Sequence, residues 1–212
     1  MTTSNPLRSA LMHPAAKVVV FVLGLLPMAW LVYGVLTNGL GANPAEALIR
    51  STGAWTLRFS CIVLAVTPLR VMTGLAALAR FRRMLGLFVY FYALVHLTSY
   101  AWLDMGFDVP AIVVDIVKRP FILVGFLAFV LLTPLAATSF NKAIKTLGAK
   151  RWQLLHKSVY AIAGLGILHF FWMRAGKNDF MEVFVYAAII GLLLGWRFKR
   201  YLSTRWQVSA KV

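Results

Sequence analysis

Residues 151–172 read RWQLLHKSVYAIAGLGILHFFW, the stretch around which we interpret the rest of the chain. It is an apolar helix candidate with a basic start, long enough to cross a bilayer. It carries two histidines, His156 and His169, thirteen residues apart. An imidazole inside lipid is energetically costly and therefore indicates a function. Metal coordination by the neutral ring is a strong candidate for that function.

The composition predicts a membrane protein. Of the 212 residues, 61% are hydrophobic, which is more than a soluble domain of this size can bury. Six apolar stretches each approach the roughly 20 residues that a spanning helix needs. They lie at about residues 17–37, 53–72, 84–104, 118–138, 153–173 and 180–198. We therefore predict an all-α membrane protein, a six-transmembrane helix bundle.

The charged residues predict how this bundle is oriented. The chain has 22 Lys and Arg against six Asp and Glu, and its net charge is +16. Basic residues concentrate before the first span, between spans two and three, between four and five, and after span six. The acidic residues lie in the other three connections or at their edge. Because Lys and Arg collect in cytoplasmic loops, we expect both termini in the cytoplasm, and no binding of nucleic acid.

The spans divide the chain into three parts. Residues 1–16 form a cytoplasmic N-terminal segment, residues 17–198 the transmembrane domain, and residues 199–212 a cytoplasmic tail. We expect the first span to be retained, since it is too long for a signal-peptide core. The connections are too short for a nucleotide-binding domain, and no glycine-rich nucleotide motif occurs. The single cysteine, Cys61, leaves no disulfide framework and no Cys-ligated cluster.

His96, in the third span, is the predicted partner of His169. Both spans enter from the basic side, and His96 lies about 18 Å beyond Met84 at 1.5 Å per residue. That depth is just beyond the midplane of a hydrocarbon core about 30 Å thick, and His169 has a matching depth. Two imidazoles at one level can hold a haem iron from both faces as an electron-transfer centre. The alternative is a hydrogen-bonded pair without a metal. His13, outside the spans, is interpreted as a surface histidine.

His156 has no histidine at a matching depth, because Arg82 and Arg83 occupy those positions. The two arginines cannot ligate iron, but they can neutralise haem propionates or a flavin phosphate. On an ideal helix His156 and His169 are roughly 140° apart, so one bis-His haem is better supported than two, unless the helix is distorted around residues 164–166. A second ligand site, a quinone or flavin contact, and a headgroup-level position all stay open for His156.

Two further charged features have alternative interpretations. Arg58 lies inside the second span, predicted near its outer end, where it either snorkels to the surface or pairs with an anion such as a haem propionate. The acidic connection that carries Asp104, Asp108 and Asp115 is a candidate docking surface. The alternative is ordinary solvated loop charge.

Four stretches together resemble the MsrQ family, also called YedZ, within the wider ferric reductase-like transmembrane group. They are RRMLGLFVYFYALVHLTSYAWLDMG (82–106), the opening stretch (151–172), GLGANPAEAL (39–48) and TGAWTLRFSCIVLAVTPLR (52–70). The resemblance covers nearly the whole chain. It implies haem-binding roles for His96, His156 and His169, and the cofactors haem b and FMN.

The resemblance also implies a function. MsrQ-like proteins of the bacterial inner membrane take electrons from the quinone pool or a cytosolic flavin reductase. They pass them to MsrP, a periplasmic molybdopterin enzyme that repairs methionine sulfoxide in envelope proteins. The expected role is that of an electron-transfer subunit rather than the catalytic one. Unlike the related oxidases, this chain lacks a fourth histidine in the third span and a dehydrogenase domain, so we expect an external donor. The alternatives are a ferric or quinone reductase, and a small transporter with a histidine proton relay.

Overall fold

The computed structural model describes residues 6–176 and 178–209, a part of the chain that is helical without any strand. The α-helices are α1 (Pro6–Met12), α2 (Pro14–Leu36), α3 (Pro44–Thr73), α4 (Arg82–Ser99), α5 (Val109–Lys118), α6 (Pro120–Ala137), α7 (Asn141–Leu147), α8 (Ala149–His156), α9 (Val159–Ala175) and α10 (Met181–Ser209). A 3-10 segment (Ala76–Phe81) precedes α4, and a π-helical turn (Tyr100–Asp104) follows it. Residues 1–5 and 210–212, which belong to the predicted N-terminal segment and tail, lie outside the described residues.

Six segments are long and apolar enough to cross a membrane, which confirms the predicted six-helix fold. They are Pro14–Leu36, Pro44–Thr73, Ala76–Asp104, Pro120–Ala137, Ala149–Ala175 and Met181–Thr204. Large apolar side chains point outward from them, for example Trp30 and Leu192, which are 70% and 75% exposed. Such surfaces are stable only against lipid or another apolar partner. The chain is therefore a multi-pass membrane protein.

The second span begins earlier than predicted, at Pro44 rather than near residue 53. Asn43 caps this helix, since its side chain accepts a hydrogen bond from the Glu46 backbone N–H at 3.1 Å, and proline suits the first helical turn. The sequence prediction missed this start because the first turns of α3 are polar. As a result Arg58 lies in the middle of α3, and its predicted position near the outer end is wrong.

The fifth span is two helices rather than one. α8 ends at His156 and α9 begins at Val159. At this break the Ser158 hydroxyl donates to the Leu155 carbonyl at 2.7 Å, and so satisfies a group that the ended helix leaves unpaired. The distortion therefore lies at residues 157–158, not around residues 164–166. An ideal-helix angle between His156 and His169 does not apply.

The two ends of the bundle differ in charge. We call the end that carries Asp104, Asp108, Asp115, Asp179 and Glu182 the acidic end, and the opposite end the basic end. At the basic end Arg80 donates to the backbone carbonyls of Leu11 and His13 at 2.6 and 3.3 Å. These contacts hold the N-terminal segment against the start of the third span. His13 itself is exposed, as predicted.

α3 lies at the centre of the bundle, because its side chains take part in both buried clusters. Phe59 stacks between Phe88 and Tyr92 of α4, with ring centroids 5.2 and 5.3 Å away. On another face of α3, Leu57 and Leu64 belong to a cluster that includes residues of α9 and α10. The fold therefore fixes α4 and α9 relative to α3, and these two helices carry the predicted histidine pair.

Tyr92 anchors α2 to this centre. Its ring is fully buried, and its hydroxyl donates to the Gly24 carbonyl at 2.8 Å and accepts from the Met28 backbone N–H at 3.1 Å. In an undisturbed helix those two backbone groups bond each other. The hydroxyl thus inserts into the hydrogen-bond ladder of α2 beside Pro27, a known cause of helix bending.

Tyr92→Phe should lower the melting temperature of the purified protein, because the inserted hydroxyl and both of its hydrogen bonds are lost, at a cost of about 1–3 kcal/mol. Tyr90→Phe is the matched control, since Tyr90 stacks on Phe129 and its hydroxyl has no hydrogen-bond partner among the described residues. Thermal unfolding in detergent measures both. Equal melting temperatures for the two variants would contradict the anchoring role.

Candidate metal centre between α4 and α9

The structure brings His96 and His169 together. His96 lies on α4 and His169 on α9, and their ring centroids are 6.2 Å apart with the ring planes 76° from parallel. Both side chains are half-buried. The sequence predicted that these two rings would meet. Among the described residues, they are the two histidines whose rings lie next to each other.

Each imidazole is oriented by a backbone carbonyl of a neighbouring helix. His96 Nδ1 lies 2.8 Å from the Ile49 carbonyl oxygen on α3, and His169 Nδ1 lies 2.6 Å from the Phe121 carbonyl oxygen on α6. Because a carbonyl oxygen only accepts, each Nδ1 carries the proton and donates it. The neutral rings then keep Nε2 unprotonated, which is the form that binds a metal.

A glycine lies behind each ring. A Cβ atom on Gly53 of α3 would be 3.0 Å from His96 Cε1, and one on Gly125 of α6 would be 2.7 Å from His169 Nδ1. A side chain at position 125 would clash with the imidazole, and one at position 53 would be in very tight contact with it. The close approach of ring and helix is what brings Nδ1 within reach of the carbonyl.

The two halves of the centre repeat one arrangement. In each half the carbonyl that accepts from the histidine lies four residues before the glycine, at Ile49 for Gly53 and at Phe121 for Gly125. One half is α3 with α4, and the other is α6 with α9. Sequence analysis missed both glycines and both carbonyls. Its only available signal was an isolated glycine inside an apolar span, which by itself is weak.

The pair lies beside the helix starts of α3 and α6, towards the acidic end. Ile49 belongs to the start of α3, and Phe121 is next to the first residue of α6. The third span begins at Ala76 rather than at Met84, so His96 lies further along this span from the basic end than the count from Met84 gives.

The donor set fits haem iron. Two imidazoles that each place Nε2 about 2 Å from one metal ion have ring centroids roughly 6 Å apart, and the observed separation is 6.2 Å. Within residues 6–176 and 178–209 no group of three or more His, Cys, Asp or Glu side chains could hold a metal ion. A zinc site needs three or four protein ligands, whereas haem iron needs only the axial ones.

His156 lies apart from this pair. Its ring stacks on Trp152 with centroids 3.8 Å apart, and its Nδ1 lies 3.0 Å from the Trp152 carbonyl oxygen. Trp152 Nε1 in turn donates to the Thr138 carbonyl at 2.9 Å. Arg82 is close enough to act on the imidazole electrostatically. The structure gives His156 no histidine partner among the described residues.

The predicted arginines have different surroundings. Arg82 and Arg83 are exposed at the basic end, and Arg83 donates to Asn141 Oδ1 at 2.8 Å. Arg58 is half-buried inside the bundle, where its Nε donates to the Tyr186 hydroxyl at 3.0 Å and its guanidinium carbon lies 4.7 Å from the centre of the Trp55 ring. No ion pair of the described residues includes Arg58. The side chains that these contacts give it are a neutral phenol and an indole, not a carboxylate.

The carboxylates of the candidate acidic docking surface have different surroundings. Asp108 caps α5 by accepting from the Ala111 backbone N–H at 3.0 Å. The Asp115 side chain is only 12% exposed and pairs with Arg119 at 2.9 Å. Asp104 is exposed. Two of the three carboxylates therefore have intramolecular partners, because residues 109–118 fold into a helix where the sequence predicted a loop.

Known proteins match this chain over most of its length. Residues 51–167 match the family model described as ferric reductase like transmembrane component. The chain is 72% identical over 200 residues to the protein-methionine-sulfoxide reductase heme-binding subunit MsrQ of Polaromonas naphthalenivorans (strain CJ2), covering 94% of this chain and 91% of the relative. The chain belongs to the MsrQ family.

Other MsrQ proteins agree with this assignment. The subunit of Herminiimonas arsenicoxydans is 54% identical over 178 residues, covering 84% of this chain and 82% of the relative. That of Xanthomonas campestris pv. campestris (strain B100) is 47% identical over 197 residues, covering 90% and 89%. No solved structure gives a significant match. The MsrQ family assignment confirms the resemblance drawn from the histidine-bearing stretches.

Gly125→Ala should lower the haem content of the purified protein several-fold, because the added methyl group would displace the His169 ring from its carbonyl, and overpacking of this kind costs about 1–3 kcal/mol. Gly53→Ala should have a smaller effect, since its contact is longer. Gly86→Ala and Gly164→Ala are matched controls on α4 and α9, where a Cβ would meet nothing within 4 Å.

The haem-to-protein ratio, measured from the pyridine haemochrome spectrum, distinguishes these variants. Equal ratios for Gly125→Ala and the two control variants would show that the glycine does not seat the imidazole.

Proposed function

We propose that this MsrQ family member is the electron-transfer subunit of a protein-methionine-sulfoxide reductase system, and that it holds one haem b between His96 and His169. One observation carries the proposal. Two imidazoles from separate helices lie with ring centroids 6.2 Å apart, a separation that paired axial ligands can have, and each has Nδ1 bonded to a carbonyl. The names of the relatives, which are heme-binding subunits, support the same cofactor.

Backbone carbonyls and glycines of the protein position the two imidazole rings. The Ile49 and Phe121 carbonyls hold the two rings in one tautomer, and Gly53 and Gly125 leave them room. Haem iron with two axial histidines supplies one-electron transfer and has no open position for oxygen chemistry.

One haem is better supported than two. His156 stacks on a tryptophan and has Arg82 rather than a histidine beside it. We propose that His156, with Arg82 and Arg83 at the basic end, belongs to the entry side for electrons, where an anionic flavin such as FMN would be neutralised by the arginines. FMN rests on family resemblance and on this charge complementarity.

Arg58 is the proposed partner of a haem propionate. It is a half-buried cation whose protein neighbours, Tyr186 and Trp55, are neutral. A cation within a membrane-spanning helix is costly unless an anion or strong dipoles accompany it. A carboxylate supplied by a bound cofactor would complete this environment.

The orientation of the protein in the membrane is inferred from its charged residues, and its electron-transfer partners are inferred from its family. With both termini, residues 1–16 and the tail from 199, in the cytoplasm, the paired histidines lie towards the periplasmic side of the bacterial inner membrane. The quinone pool or a cytosolic flavin reductase would supply electrons, and an MsrP-like periplasmic molybdopterin enzyme would accept them. The short distance from the pair to the acidic end supports delivery on that side.

The proton-relay alternative has little support. A relay passes protons through both nitrogens of each ring, whereas each Nδ1 is bonded to a backbone carbonyl, which cannot take up a proton. A ferric or quinone reductase would use the same haem centre. It differs from the proposed function in the acceptor, so electron transfer to MsrP decides between them.

His96→Ala and His169→Ala should each abolish or drastically lower haem content, because one axial ligand is lost. His156→Ala should retain the haem but slow its reduction by the physiological donor. His13→Ala is the matched control, since His13 is exposed and accepts only a local hydrogen bond from the Ala15 backbone N–H at 3.2 Å.

Dithionite-reduced minus oxidised spectra measure the haem, and stopped-flow spectroscopy measures its reduction. A colourless but folded wild-type protein would overturn the proposed function. Normal bis-His spectra in both His96→Ala and His169→Ala would show that the ligand pair is wrong, and complete haem loss in His156→Ala would show that His156 is a ligand.

A further inference from the structure

A hydrogen-bonded network joins two helices at the acidic end, next to the histidine pair. The Tyr100 hydroxyl donates to Asp115 Oδ2 at 2.7 Å, and Arg119 Nε donates to Asp115 Oδ1 at 2.9 Å. Both carboxylate oxygens are therefore used. The Asp115 side chain is 12% exposed, whereas that of Arg119 is 59% exposed.

The network begins one helical turn from His96. Tyr100 is the fourth residue after His96, so both side chains lie on neighbouring parts of one helix face. The Tyr100 backbone N–H bonds the His96 and Leu97 carbonyls, and the π-helical turn starts at Tyr100 itself. Turns of this kind often mark functional positions. A displacement of Tyr100 would move the end of α4 that carries His96.

The network ends two residues from the carbonyl that orients His169. Arg119 immediately precedes α6, and its carbonyl accepts from the Ile122 N–H at 2.9 Å in the first turn. Phe121, in the same turn, accepts the His169 hydrogen bond. Asp115 and Arg119 are also joined by a backbone hydrogen bond at 3.0 Å. The start of α6 is therefore tied to α5 and, through Asp115, to Tyr100.

The link through Asp115 is strong for a physical reason. A carboxylate withdrawn from water is stable only with hydrogen-bonding partners that replace the lost hydration. Asp115 has two, one of them charged, and charge-assisted hydrogen bonds are about twice as strong as neutral ones. The Tyr100 hydroxyl is the sole member of this network on the third span, and so it carries the connection to the His96 side.

We propose that Tyr100, Asp115 and Arg119 form a clamp that holds α4 and α6 at the spacing at which His96 and His169 share one iron ion. The three are positioning residues that act through the two helices and do not touch the iron. The clamp joins the two repeated halves of the centre at the acidic end. Deeper in the bundle, the stacked rings of Tyr90 and Phe129 join the same two helices, 5.5 Å apart.

The proposal rests on the proposed haem function, and its test uses the full-length holoprotein. Asp115→Asn removes the charge at nearly constant size, Tyr100→Phe removes one hydroxyl, and Asp115→Glu is the conservative rescue. The matched control is Asp179→Asn at the same end, where Arg174 bonds Asp179 at 3.1 Å and retains Glu182 at 2.7 Å. That pair does not involve α4 or α6.

Two measurements separate positioning from general stability. The first is the rate at which haem transfers to excess apomyoglobin. The second is the low-temperature EPR spectrum of the ferric protein, which depends on the angle between the two axial imidazole planes. We expect about tenfold faster haem loss in Asp115→Asn and a smaller acceleration in Tyr100→Phe, with shifted low-spin g values in both. Asp115→Glu should restore much of the wild-type behaviour, and Asp179→Asn should match the wild type.

Unchanged haem loss and unchanged g values in both clamp variants, beside a wild-type protein with a normal bis-His spectrum, would overturn the clamp alone. A lower melting temperature with an unchanged EPR spectrum would do the same, because it shows a structural role only. If Asp115→Asn fails to fold, Tyr100→Phe decides. A wild-type protein without haem would overturn the proposed function and the clamp together.

Discussion

The structure depends on one hydrogen bond made twice, from an imidazole Nδ1 to a carbonyl of a neighbouring helix. In a membrane-spanning helix the backbone carbonyls are already bonded within the helix, so a second donor reaches them only where the side chains are small. Gly53 and Gly125 supply that access. The bond fixes the tautomer of each ring, the rotation of α4 and α9, and the direction in which Nε2 points. The packing of α3 beside α4 and of α6 beside α9 is consistent with the need to hold each imidazole against its carbonyl.

Much of the fold could be predicted from the sequence because lipid imposes simple rules. Backbone groups in hydrocarbon must bond within their own helix, so apolar runs of sufficient length become spanning helices, and all six were found. The errors arose where local capping decides the outcome. Asn43 starts α3 within a polar stretch, Asp108 starts α5 in a predicted loop, and residues 157–158 interrupt the fifth span. Residues that cap or interrupt a helix give a weaker signal in the sequence than the hydrophobic pattern does.

The site was predicted in part. The pairing of His96 with His169 was predicted from depth. A helix rises by a fixed distance per residue, so the sequence gives the relative depth of two histidines on helices that enter from the same side. The supporting residues could not be found in this way. Ile49 and Phe121 contribute only a backbone carbonyl, which every residue has, so their residue types give no signal. Asp115 reaches Tyr100 only because α5 forms. His156 illustrates the same limit, since its tryptophan partner was not foreseen.

In the proposed arrangement one iron lies between His96 and His169, and His156 holds no second one. The haem-to-protein ratio of the purified, detergent-solubilised chain, determined together with its absorption spectrum, tests this most directly. The account predicts one haem per chain with a six-coordinate, low-spin spectrum in both oxidation states. Two haems per chain, or a high-spin spectrum with an open iron position, would contradict it.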